Sequence, residues 1–320
     1  MLSFQGVNLA NIVKDVALRS EDGGVPAKHP SVEAIEALQE LLKADSPNED
    51  AIKSNLLKLK SECDIDLAHR CLAGKNNAYP VMYQLLDTYK SKPEMLEAVT
   101  STFCALCNGQ PDLLDIRGSL LLMKTLDAQQ NSATNSTLLV HLIRLTCVMH
   151  ESNRQGYINS GLIPILMNAL ESHKDKAELV KEVCFCLRVL TFDDDPRVPF
   201  GKAHEHAKMI VTEADALRKI LNICQGESIV EAGKMNNNLH SHAFHFIGSF
   251  IFYAFHFMHC FFMHIFSLDY STDTGVLGEL FLTLSRLAVR NEFCQEIMDL
   301  GGLQLMLTAM EQNMDHQVRN

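Results

Sequence analysis

Gly161-Leu-Ile-Pro-Ile-Leu-Met-Asn-Ala-Leu170 is one copy of a short helical phrase that returns along the chain. Other copies are Ala78-Tyr-Pro-Val-Met-Tyr-Gln-Leu-Leu, Gly118-Ser-Leu-Leu-Leu-Met-Lys-Thr-Leu, Ala214-Asp-Ala-Leu-Arg-Lys-Ile-Leu and Gly301-Gly-Leu-Gln-Leu-Met-Leu-Thr-Ala-Met. The small residues that open the copies lie 40, 43, 53 and 87 residues apart. A recurrence near forty residues is the period of two- or three-helix solenoid repeats. Two short helices meeting at a tight turn would explain the small residue at each copy.

Around each phrase the pattern is helical. Leu96, Val99, Phe103 and Leu106 share one helical face, as do Leu138, Leu142 and Leu145. Leu179, Val183, Cys186, Leu187 and Leu190 repeat the stripe, and so do Leu277, Leu280, Phe281, Leu284 and Leu287. No stretch alternates with period two, so no sheet is expected. The expectation is an all-α, right-handed α-α superhelix of three-helix armadillo-type repeats, incomplete at its C-terminus. Ahead of the repeats, helices are predicted over 32–43, with Ser31 as N-cap, and over about 48–62.

The 87-residue gap marks a foreign segment. Residues 227–271 hold six of the fourteen histidines and nine of the sixteen phenylalanines, and removing these 45 residues brings the spacing to 42. The organisation expected is therefore an N-terminal helical cap over 1–64, repeats over 65–226, an atypical His/Phe-rich insert over 227–271, and a final, truncated repeat over 272–320. Ala243–Phe266 contains no Asp, Glu, Lys or Arg and is long enough to span a bilayer. A single span would sever the solenoid, so the favoured reading is an apolar excursion such as retained intronic sequence. His256, His259 and Cys260 lack the second ligand pair that a zinc site needs.

Two constellations outside the insert bear on binding. Arg144, Arg188 and Arg286 recur at one place in successive long helices, joined by Arg290, and would line a groove able to grip carboxylates or phosphates. The alternative is that each pairs with an acid on a neighbouring repeat. Phe192–Lys208 lengthens one loop and crowds Asp193, Asp194, Asp195, Arg197, His204 and His206 into it. Carboxylate and imidazole together make it a candidate ligand or metal-responsive loop, whereas local capping and Asp–Arg pairing would make it structural.

The function classes excluded are as informative. Net charge is −11, which speaks against nucleic acid as a partner. Cys104, Cys107, Cys147, Cys184 and Cys186 fall inside apolar stripes and read as buried thiols of an intracellular protein. The N-terminal residues carry no secretory pattern. No phosphate-binding glycine loop or nucleophile elbow is present, so neither an enzyme nor a cofactor is expected. What remains is a cytoplasmic protein-binding scaffold, with the nucleus as a further expected location and membrane tethering through 243–266 as the alternative.

The segment Phe192-Asp-Asp-Asp-Pro-Arg-Val-Pro-Phe-Gly-Lys-Ala-His-Glu-His-Ala-Lys-Met-Ile-Val resembles the armadillo repeat-containing protein 6 family. So do Leu284-Ser-Arg-Leu-Ala-Val-Arg-Asn-Glu-Phe-Cys-Gln-Glu-Ile-Met-Asp-Leu-Gly-Gly, Gly6-Val-Asn-Leu-Ala-Asn-Ile-Val-Lys, Gly109-Gln-Pro-Asp-Leu-Leu-Asp and Asn153-Arg-Gln. The resemblance implies an intracellular armadillo solenoid and covers most of the chain except 227–271. That family continues for several further repeats, so the chain reads as a truncated form. It contains no tryptophan, and with it no Trp/Asn ladder of the kind import receptors use to hold basic peptides.

Overall fold

The computed structural model describes residues 28–109, 116–228 and 276–305, and among them every regular element is a helix. The insert proposed at 227–271 and the apolar stretch 243–266 lie almost wholly outside these residues. Two compact units divide between Ser160 and Gly161.

The first unit contains α1 (Pro30–Leu41), α2 (Glu49–Ile65), α3 (Leu67–Lys75), α4 (Ala78–Tyr89), α5 (Pro93–Cys107), α6 (Ile116–Ala128), α7 (Ala133–Cys147) and α8 (Glu151–Asn159). Its long helices α2, α5 and α7 pack side by side, α5 and α7 as the third helices of repeats and α2 in the equivalent place ahead of them. Side chains stitch this stack together. Thr102 Oγ1 donates to the Leu56 carbonyl at 3.2 Å, and Cys104 Sγ to the Leu138 carbonyl at 3.6 Å. Leu96, Val99, Phe103 and Leu106 of α5 are fully buried. Burial at that depth stabilises by about 1.5–3 kcal/mol for each large side chain, and Phe103 meets the edges of Tyr79 and Tyr83.

The second unit contains α9 (Leu162–Ser172), α10 (Ala177–Leu190), α11 (Ala203–Ala214), α12 (Ala216–Ser228), α13 (Val276–Leu287) and α14 (Asn291–Asp299). Helix α13 packs along α10 as the next third helix and also covers α12. Thr283 Oγ1 of α13 donates to the Cys184 carbonyl of α10 at 3.3 Å, the counterpart of the Thr102 bond in the first unit.

A shared joint closes each described first helix onto the third helix before it. The last carbonyls of a helix lack intrahelical partners. In each case the fourth residue of the following short helix supplies the donor. Arg70 serves the Cys63 carbonyl at 2.8 Å, and Arg154 serves Cys147 at 3.0 Å. His206 Nδ1 lies 3.0 Å from the Leu190 carbonyl, and Cys294 Sγ donates to the Ala288 carbonyl at 3.7 Å. Arg154 is fully buried and its charge is met by Glu151 at 2.9 Å.

The tight turns behave as expected at Gly161 and Gly301, with φ of 91° and 79°. Elsewhere the left-handed residue is a neighbour of the small one. Asn77 precedes Ala78, and Asp215 follows Ala214, at φ of 66° and 52°; Asn and Asp tolerate this region better than other side chains. Gly118 differs: it lies within α6, where a Cβ would run into the Tyr83 ring. Three further expectations are corrected. The first two helices run over 30–41 and 49–65 rather than 32–43 and 48–62. The N-cap of α1 is His29, whose ring accepts from the Ser31 amide, while Ser31 is buried in the first turn behind Pro30. In α7 the buried face is Leu139, Val140, Leu142, Ile143 and Cys147, with Leu138 and Leu145 only half-buried. A third helix is covered on several sides, so a single apolar stripe underdetermines its orientation.

Candidate functional site

The stacked third helices of the first unit leave a depression of about 490 Å³. Lys60 and Asp64 of α2, Ser101 of α5, Asn108 just beyond it, and His141 and Arg144 of α7 line it. One turn of α7 places His141 and Arg144 together, and Arg144 Nη2 sits 2.8 Å from His141 Nδ1. Leu138 and Leu145, the half-buried residues of the expected stripe, supply the apolar part of the same wall. Lys60 and Asp64 pair across one turn of α2 at 3.4 Å, so the depression offers that ion pair, the Arg144 cation, neutral hydrogen-bonding groups and aliphatic surface.

The other groove arginines sit differently. Arg188 and Glu279 pair at 2.5 Å with both side chains about 14% exposed or less. Arg188 also donates to the Glu279 carbonyl at 3.1 Å and stacks over Phe185. This is the neighbouring-repeat pairing read as the alternative, made between α10 and α13. Arg286 donates to the Thr191 carbonyl at 2.6 Å and lies over the Phe192 ring at 5.5 Å. Arg290 is half-exposed beside Glu292 at 3.4 Å.

Arg286 brings the two sequence constellations together, because its partners begin the acidic loop. Burial draws its guanidinium below the ordinary value, while the nearby Asp193 and Asp194 carboxylates favour the charge. Within the loop, Asp195 is buried and folds back on Arg197. Its Oδ1 accepts from the Arg197 backbone at 3.0 Å and from Nε at 2.8 Å. Asp193 accepts from the Gly201 amide at 3.3 Å. His206 turns away to cap α10, and His204 is exposed on α11. Among the described residues, the loop's carboxylates and imidazoles therefore form no convergent ligand group. Phe200, 90% exposed in the loop, carries no periodic signal by which sequence could single it out.

All nine described cysteines are thiols, most of them buried. Burial pushes Cys63 and Cys184 up to about 12. Among the described residues, no helix is long and apolar enough to cross a membrane.

Stacked third helices, short first helices pinned at their fourth residue and left-handed turns before the second helices define an all-α solenoid of the armadillo type. Such folds generally serve as non-catalytic surfaces for protein partners. A family model described as ARMC6 matches residues 31–228, and the chain belongs to the armadillo repeat-containing protein 6 family. It is 36% identical over 318 residues to the human Armadillo repeat-containing protein 6, covering 99% of this chain and 54% of that protein. The orangutan (Pongo abelii) protein of that name is likewise 36% identical, and a Drosophila melanogaster homolog is 29% identical over 316 residues. The chain spans about half the length of the curated relatives it matches.

Proposed function

We propose that this chain binds rather than catalyses, holding an extended or helical segment of a protein partner across the third helices of its first unit. The observation that carries the reading is the depression walled by α2, α5 and α7, where Lys60, His141 and Arg144 stand beside aliphatic surface. A side chain anchored in such a pocket, with polar contacts at its rim, is how interfaces concentrate binding energy. Arg144, with Lys60 exchanging Asp64 for the partner, would favour a segment that carries carboxylates. Of the four groove arginines, Arg144 is the one assigned to the partner. Arg188 and Arg286 are assigned to holding α13 against α10 and its loop, and Arg290 stays at the edge. The buried thiols favour a reducing compartment, and cytoplasmic residence, extending to the nucleus, belongs to the same proposal.

A photo-reactive amino acid at Ser101 is expected to cross-link a discrete partner in cells, while the same group at exposed Lys124 on α6 does not. The double change Lys60→Glu/Arg144→Glu is expected to reduce that cross-link at least about tenfold, the cost of one charge-assisted contact. Equal capture from Ser101 and Lys124, or capture indifferent to the double change, would refute the proposal.

A further inference from the structure

His29, Glu62 and His69 come from three different places in the chain and converge at one corner of the first unit. His29 leads into α1, Glu62 lies in the last turn of α2, and His69 lies in the first turn of α3. Both imidazoles direct Nε2 at the same carboxylate oxygen. The distances to Glu62 Oε2 are 3.8 Å from His29 and 3.9 Å from His69. All three donor atoms fall within 4.8 Å of one another, and the ring centroids are 5.1 Å apart.

These separations are too long for hydrogen bonds and close to those of atoms sharing a cation. Zinc bonds of about 2.0–2.1 Å in a tetrahedron place neighbouring ligand atoms about 3.3 Å apart. Closing the triad onto one ion therefore needs side-chain movement of about half an ångström. Two lysines near the triad are paired elsewhere, Lys28 with Glu36 and Lys58 with Glu33. Among the described residues, no lysine or arginine pairs with Glu62.

The outer group behind His69 is placed as a metal site requires. His69 Nδ1 is 2.7 Å from Asp66 Oδ1. A carboxylate only accepts, so the ring proton sits on Nδ1 and the Nε2 lone pair faces Glu62. That is the carboxylate–histidine arrangement that orients metal-bound imidazole. Asp66 is itself fixed, as the N-cap of α3, by the His69 amide at 2.9 Å. His29 Nδ1 lies 2.8 Å from Ser31 Oγ and accepts the Ser31 amide at 3.3 Å, so committing Nε2 to a metal moves the ring proton to Nδ1 and exchanges the amide bond for donation to Ser31 Oγ. The three ligand side chains are 14–19% exposed, which leaves a fourth position open to water.

We propose that His29, Glu62 and His69 form a divalent transition-metal site, best suited to zinc, that clips the chain preceding α1 to the corner between α2 and α3. Two nitrogens and one carboxylate oxygen suit zinc and leave calcium and magnesium, which take oxygen ligands, poorly served.

Zinc titrated into the metal-free full chain, against a chromophoric chelator, is expected to fill a site that His29→Asn/His69→Asn weakens by about a hundredfold or more. Glu62→Gln, which changes charge but hardly shape, is expected to weaken it as well with the far-UV circular dichroism unchanged. Asp66→Asn preserves the helix cap, since Asn caps as well as Asp, yet is expected to lower affinity about ten- to a hundredfold. Cobalt should show its visible d–d bands in the wild-type chain and lose intensity in Glu62→Gln. Zinc binding of equal stoichiometry and affinity in wild type, the histidine double variant and Glu62→Gln would overturn the proposal.

Discussion

Glu279→Gln removes one charge from the pair that joins α13 to α10 and leaves the shape of the site intact. Arg188 would keep its bond to the Glu279 carbonyl at 3.1 Å and a longer one to Thr283 Oγ1 at 3.4 Å, but lose its counter-ion. Breaking a fully buried ion pair on one side costs about 3–5 kcal/mol, whereas one charge-assisted hydrogen bond contributes about 1.5–3 kcal/mol. Both side chains retain about a seventh of their exposure, so solvent screens part of the unpaired charge and the expected cost is about 2–3 kcal/mol. Arg188→Met should cost a similar amount, with a further ~0.5–1 kcal/mol from the lost stacking on Phe185. The double variant should be less destabilised than the sum of the singles, by about 1.5–3 kcal/mol of coupling. Repeat proteins need not unfold in one step, so the readout is hydrogen exchange at amides 279–287, where a 2 kcal/mol loss speeds exchange about thirtyfold. Exchange there within about twofold of wild type in both single variants would show that the pair does not hold α13, and the division of roles among the arginines would fail with it.

Gly118→Ala drives a methyl group into the Tyr83 ring and is expected to cost about 1–3 kcal/mol in urea unfolding; relief by Tyr83→Leu would identify the clash as the cause. His206→Leu strands the Leu190 carbonyl and should cost about 1–3 kcal/mol, while millimolar calcium or zinc should leave the difference between variant and wild type unchanged if that imidazole is no ligand. Cys184 should resist iodoacetamide in the native chain and half-buried Cys71 should react before it, as alkylation time courses read by mass spectrometry can check. Thiols held up to about 12 when folded keep protons that the unfolded chain releases from about 9.0, so stability should fall as pH rises between those values, measurable as a declining urea midpoint.

Period was legible in the sequence because a third helix shows its buried face at every turn. The stripes through Phe103 and Leu187 lie fully in the core. The same reading tilted α7 by a fraction of a turn, because Leu138 and Leu145 are as apolar as the residues that do go inside, and only the neighbours on both sides decide among them. Spacing likewise showed that Arg188 and Arg286 occupy equivalent positions. It could not show that one meets Glu279 and the other a loop carbonyl, since both partners lie more than ninety residues away in the chain. His206 looked like a ligand by composition. Its position as the fourth residue of a first helix would have identified it as a cap, had Arg70 and Arg154 been aligned with it. His29, Glu62 and His69 left a single local trace, the Asp66–His69 spacing at a helix start; the rest of that corner exists only once α1, α2 and α3 have folded.

The fourth-residue joints also differ in the strength of what holds them. Arg70 and Arg154 bring cationic donors at 2.8 and 3.0 Å, His206 brings a ring nitrogen, and Cys294 only a weak thiol donor at 3.7 Å. Pulled between its ends, such a chain would not tear at random. The thiol-held seam next to α14 would part first and the guanidinium-held seams later, so that extension meets a graded series of yield points, each set by one side chain.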